Sequence, residues 1–211
     1  MRINFLLSLA LKAFLILAFS ATFFGCGVGE DDPSISLRSR DNRLKGEWKL
    51  TKMNNVLRMT SFTPGSPQTE SSQKVTYDGF TLKISTSING APVADSTVGF
   101  SYSMEVKDDG ELAYDYTTVI NGLGVKSSGK DIWYWLNSEK NKSKVYLNNT
   151  FIRFGTVAGN LPINLLPSEF DVKGLKNEEL TLILNRQDSR VNADGSYQNT
   201  VFTSEATFEL K

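Results

Sequence analysis

The chain has 211 residues, with 23 basic and 23 acidic side chains, no histidine and one cysteine. Without histidine it lacks the commonest general base and the commonest metal ligand, and with a single cysteine it forms no internal disulfide. The balanced charge offers no basic field for nucleic acid.

The first 25 residues carry Arg2 and Lys12 and no acid, which leaves 21 basic against 23 acidic side chains in the remainder, a net of −2. Ala13 to Phe24 form an apolar run of signal-peptide length that ends at Gly25-Cys26. The run is short for a membrane span, which takes about 20 apolar residues. Counting back through Lys12 to Phe5 lengthens it, so an uncleaved transmembrane anchor is the competing reading. A small residue before a cysteine at the end of such a run resembles the lipobox of bacterial lipoproteins. Gly25 and Cys26 match that pattern, whereas Phe23 and Phe24 depart from it. The resemblance implies cleavage between Gly25 and Cys26, a diacylglycerol thioether on Cys26 and an acylated new amino terminus. The mature protein is then expected in the bacterial envelope, lipid-anchored in the outer membrane, with its domain periplasmic or surface-exposed. Residues 26–43 hold Gly27, Gly29, Pro33 and Glu30-Asp31-Asp32 with no apolar period, and read as a lipidated flexible tether.

Residues 44–211 read as one all-β domain. Phe80, Leu82 and Ile84 alternate with polar residues, as do Phe100, Tyr102, Met104 and Val106. Leu112, Tyr114 and Tyr116, then Leu180, Leu182 and Leu184, then Ala206, Phe208 and Leu210 follow the same rule. Asn89-Gly90, Asp109-Gly110, Asn121-Gly122 and Asp194-Gly195 sit between such runs and suit tight hairpin turns. Strands are expected near 47–53, 74–88, 96–107, 111–120, 124–136, 143–148, 168–174, 179–187 and 198–210. The predicted fold is an antiparallel up-and-down barrel of roughly eight to ten strands, because closure removes exposed sheet edges. Two segments interrupt the rhythm. Met53 to Gln73 contains Pro64-Gly65-Ser66-Pro67 and reads as an irregular loop. Asn149 to Pro167 is apolar yet holds Pro162 and Pro167, and reads as an insertion packed on the barrel, a lid, a plug or a docking surface.

The domain opens with Leu44-Lys45-Gly46-Glu47-Trp48-Lys49-Leu50, which resembles the Gly-x-Trp opening of lipocalins and lipocalin-like bacterial lipoproteins. Phe170 to Leu182 is similar to their late hairpin, and the loop after the first strand sits where the family has its large loop over the barrel mouth. The resemblance implies that Trp48 packs the closed end of the barrel and has a structural role, with Gly46 as its motif partner.

A serine–lysine or paired-carboxylate mechanism needs only residues that are present. The best-spaced carboxylates, Glu111 and Asp115, share a strand face opposite Leu112, Tyr114 and Tyr116, so an outer solvated surface is expected for them. Asn192-x-Asp194-Gly195 has a fragment of a calcium-loop pattern, but Arg190 and Val201 occupy its first and last ligand positions, so a turn is the better account. No metal, no cofactor and no catalytic residue is expected. Phe100, Tyr102, Tyr114 and Tyr116 should share an inward face, with Trp133 and Trp135 nearby. They either line a site for a small hydrophobic ligand or fill the barrel. The expected function is a non-enzymatic, membrane-anchored binding module. The alternative is a filled barrel that docks an envelope partner.

Overall fold

The structure, a computed structural model, describes residues 39–136, 142–147 and 169–211. The signal segment, Gly25, Cys26 and the Asn149–Pro167 insertion lie outside the described residues. Ser39 caps a short helix, α1 (Arg40–Leu44), by accepting a hydrogen bond from the Asn42 N–H. Ten strands follow among the described residues: β1 (Gly46–Phe62), β2 (Thr69–Tyr77), β3 (Thr81–Ile88), β4 (Ala91–Val106), β5 (Glu111–Ile120), β6 (Leu123–Trp135), β7 (Lys144–Leu147), β8 (Glu169–Leu175), β9 (Glu179–Val191) and β10 (Tyr197–Leu210). Each pairs antiparallel with the next, and β10 pairs with β1, so the meander closes into a barrel. This is the all-β, up-and-down architecture that the period-two pattern predicts. No helix among the described residues is long and apolar enough to cross a membrane.

The alternation works as the pleat requires. Leu82, Phe100, Tyr102, Met104, Leu112 and Phe208 are buried while their sequence neighbours face out. Removing such side chains from water contributes about 25 cal/mol per Å² of apolar surface, which drives the sheet to curl around them. The hairpin dipeptides act in two ways. In Asn89-Gly90 and Asn121-Gly122 both residues have positive φ, near 50° and 79°, as a type I′ turn demands. In Asp109-Gly110 and Asp194-Gly195 only the glycine does, and the aspartate instead accepts a backbone N–H two residues on, from Glu111 and Ser196, each at 2.9 Å.

Three expectations are corrected. Met53 to Gln73 is not a loop: β1 runs on to Phe62 and β2 returns from Thr69, paired from Ser61↔Thr69 down to Met53↔Tyr77. Pro64 and Pro67 occupy the turn between them, where no ladder N–H is needed, and Ser66 N–H closes on the Thr63 carbonyl at 3.0 Å. A large loop over the mouth after the first strand, implied by the family resemblance, is therefore replaced by a hairpin. The stretch 74–88 is two strands rather than one. Asp78-Gly79 breaks it, with the Asp78 carboxylate accepting N–H bonds from Phe80 and Thr81 at 3.2 and 2.8 Å. Phe80 thus sits in a turn, 78% exposed, instead of on the core face.

That β2–β3 turn also shapes the barrel. β1 pairs with β4 from Gly46↔Val106 to Lys49↔Ser103, and with β2 only from Met53 onward. The register shift between Leu50 and Lys52 in the β1–β10 ladder falls where the partner changes. A circuit that crosses directly from β1 to β4 passes through eight strands, whereas one that includes the β2–β3 hairpin passes through ten. Barrel diameter grows with strand number, so the interior widens away from the β1–β4 contact.

The narrow end is closed by α1. Trp48 is completely buried and its indole N–H donates to the Leu44 carbonyl at 2.7 Å. Arg43 donates to the Leu175 carbonyl, Arg40 to the Lys142 carbonyl at 2.6 Å, and Trp135 to the Asp41 carboxylate at 2.5 Å. Ser39 to Arg43, in the stretch whose composition reads as tether, therefore take part in the fold. Gly46 has φ 138°, and a Cβ there would come within 2.8 Å of Leu210 Cδ1, so the Gly-x-Trp opening is a backbone requirement as well as a sequence signature.

Candidate functional site

The predicted aromatic residues do share the inward face of neighbouring strands. Tyr102 lies opposite Tyr116, Met104 opposite Tyr114 and Phe100 opposite Thr118. Their burial separates them. Tyr102, 1% exposed, packs edge-on to Phe208 with ring centres 6.4 Å apart, and Phe100 meets Tyr77 edge-on at 5.5 Å. Both fill the interior. Tyr114 and Tyr116 are half-buried and rest on that core from above. Tyr114 faces Gly129 across the β5–β6 ladder, and a Cβ on Gly129 would fall 2.5 Å from its phenol oxygen, so the ring occupies the space of a missing side chain. Trp133 and Trp135 are not part of this group. Their rings meet edge-on at 6.4 Å at the narrow end, where Trp133 donates to the Lys107 carbonyl at 2.8 Å and Trp135 to Asp41.

On the opposite wall, inward-facing residues of β9, β10, β1 and β2 stack in rows along the register. The lowest is apolar: Leu182, Ala206, Met53 and Tyr77. The next holds Leu184, Ser204, Asn55 and Val75, with the Ser204 hydroxyl donating to the Asn55 side-chain amide oxygen Oδ1 at 2.6 Å. Above it come Arg186, Phe202, Leu57 and Gln73, then Asp188, Thr200, Met59 and Ser71. The interior thus passes from an aromatic floor to a polar belt. Composition signals the aromatic floor. The belt is invisible without the register, because its members come from two distant strand pairs, β1–β2 and β9–β10. Beyond the belt the hairpin tips carry exposed apolar residues, Ile88, Ile120, Leu123 and Val125, of which Leu123 is 75% exposed.

The outer wall of β4–β6 bears a shallow hollow of about 470 Å³, lined among others by Glu47, Ser103, Asp115 and Lys130. Its ionic groups are already paired. Ser103 donates to Asp115, Lys211 is 2.5 Å from Glu47, and Lys130 is 3.0 Å from Glu111. Lys211 Nζ also lies 3.3 Å from Ser103 Oγ, the serine–lysine approach that a nucleophilic mechanism would use. Here the ammonium is held as an ion-pair partner by Glu47, so the arrangement favours a structural bridge. Glu111 and Asp115 lie on the outer face, as their spacing predicts. The Lys107 and Lys130 ammonium groups that grip Glu111 hold its carboxyl below the ordinary value, the opposite of what a general acid needs. Asp194 accepts both the hydroxyl and the N–H of Ser196, at 2.6 and 2.9 Å, which makes its segment a turn. Among the described residues no group of three or more Asp, Glu, His or Cys is placed to hold a metal ion. In sequence comparisons no protein-family model matches this chain, and no curated protein matches it.

Proposed function

We propose that this chain is a lipocalin-like lipoprotein of the bacterial outer membrane, anchored through Cys26, whose barrel binds a small hydrophobic ligand without catalysing its conversion. The observation that carries the ligand reading is the size of the inward-facing residues in the wider half. Ser71, Thr86, Thr118 and Ser127 face inward and stay half-buried. Small residues on this side of the wall favour room for a guest, while the larger Leu57, Met59, Phe202 and Arg186 face inward on the other side. Tyr114 and Tyr116 then offer a half-exposed aromatic surface to an apolar guest. Support for the anchor is the Gly25-Cys26 ending of the apolar run and the lone cysteine, together with a chain that enters the fold at the closed end.

The test is fluorescence titration with the lipophilic probe N-phenyl-1-naphthylamine. Saturable binding near one-to-one, weakened by Tyr114→Ala in a protein that still unfolds cooperatively, is expected. Unsaturable or absent binding across several such probes refutes it. The exposed Ile88, Ile120, Leu123 and Val125 favour a second reading, in which the hairpin tips dock an envelope protein.

A further inference from the structure

The polar belt contains two side chains that the fold itself does not use. Gln73 is 8% exposed and Thr200 is 5% exposed, and both face inward, on β2 and β10. Neither side chain makes a hydrogen bond among the described residues. Their polar atoms nevertheless are not sealed off, since the only sealed and unpartnered side-chain atoms among the described residues are the Nε atoms of Arg40 and Arg43 at the other end. Gln73 and Thr200 thus present hydrogen-bonding groups to the interior that no other described side chain takes up. Asn55 and Ser204, one row below, satisfy each other, so the chain is able to pair polar groups at this depth.

Given the ligand-binding reading above, on which this rests, we infer that Gln73 and Thr200 form a hydrogen-bonding station for the ligand, and that the ligand is a neutral amphiphile. It carries an apolar body and one uncharged polar group, an amide, carbonyl or hydroxyl. The apolar body lies on Tyr114, Tyr116 and the aromatic floor, and the polar group meets the Gln73 amide, which both donates and accepts. The charged side chains of the belt rows, Arg186 and Asp188, are already paired. Arg186 is 3.9 Å from Glu169 and Arg190 is 3.1 Å from Asp188, so each cation already has an anion. A buried ionised carboxylate beside the neutral Gln73 would be left without a counter-charge.

The experiment displaces N-phenyl-1-naphthylamine from the full chain held in amphipol, with empty amphipol subtracted. The competitors share a carbon chain: dodecane, 1-dodecanol, dodecanamide and, at pH 8, dodecanoate. In the unaltered protein 1-dodecanol and dodecanamide should compete better than dodecanoate. Gln73→Leu should weaken 1-dodecanol and dodecanamide about three- to tenfold, the worth of one hydrogen bond, and leave dodecane unchanged. The same substitution should leave the melting temperature of the unliganded protein equal or higher, where a residue needed for the fold would lower it. Thr200→Val supplies a second, near-isosteric variant with the same expected pattern. If the probe itself does not bind, the ligand-binding reading falls. If it binds but Gln73→Leu and Thr200→Val affect all competitors alike or none, the belt serves only water and this inference is overturned. Dodecanoate competing as well as 1-dodecanol overturns the neutral-ligand claim.

Discussion

Truncating Trp48 to alanine tests whether the narrow end of the barrel is sealed as described. The side chain has no solvent exposure, and its indole N–H donates to the last carbonyl of α1 at 2.7 Å. Tryptophan-to-alanine changes in cores cost about 3–5 kcal/mol through lost burial and the cavity left behind. The lost hydrogen bond to the Leu44 carbonyl adds about 1 kcal/mol. About 4–6 kcal/mol is a quarter or more of the about 5–15 kcal/mol that holds a domain of this size. Urea unfolding of the full chain reads this as a lower midpoint, with Trp133 and Trp135 still reporting by fluorescence. Trp48→Phe separates the two contributions: it keeps most of the packing and loses the hydrogen bond, so about 1–2 kcal/mol is expected. A loss below about 1.5 kcal/mol for Trp48→Ala would show that the residue does not seal the end, since such a value belongs to a partly exposed ring.

Gly129→Ala places a methyl group where the Tyr114 phenol lies, so the ring must swing into the interior; probe affinity should change by several-fold with a stability loss of about 1 kcal/mol, and unchanged affinity would place Tyr114 outside the site. Burial alone would raise the Asp41 carboxyl, but the bonds from Lys142 and Trp135 outweigh it and hold the group below its ordinary value. Backbone N–H bonds to Asp78, the two lysines on Glu111 and the Ser196 bonds to Asp194 depress those groups too. A depressed carboxylate contributes stability that is complete above its unfolded value, about 4, and is lost as pH falls through the folded one. The urea midpoint should therefore hold from neutral pH to about 5 and fall below about 4, less steeply in Asp41→Asn; a midpoint that climbs on acidification contradicts the assignment. Mass spectrometry of membrane-extracted protein should find an acylated amino terminus at Cys26, and an intact Met1 terminus on the mature protein would sink the anchor.

Much of the fold is local and therefore legible in the chain. Side chains alternate across a pleat whatever the rest of the molecule does, so the inward faces of β4, β5, β9 and β10 follow from period-two spacing. Asn-Gly pairs tolerate two positive φ angles wherever they occur, and they mark two hairpins correctly. The Asp78-Gly79 dipeptide is the same kind of signal, and it alone separates β2 from β3. Where the alternation fades, from Asn54 to Gln73, the segment reads as a loop, because polar residues on both faces leave no period to detect.

Only the tertiary structure decides the rest. The far half of β1 and the start of β2 are strands because β10 and each other supply ladder partners, which requires chain segments some 150 residues apart to meet. The same closure decides how deep each aromatic sits. Spacing places Phe100, Tyr102, Tyr114 and Tyr116 on one face, but the local diameter makes the first two filling and the second two lining. Gln73 and Thr200 are set inside the barrel on the same principle. Each is an ordinary polar residue in its own strand, and it becomes a buried, unpartnered group only when the register sets it inside a wall that three strands build. Alternation determines a direction at each residue, whereas depth and partnership depend on what the closed barrel brings opposite.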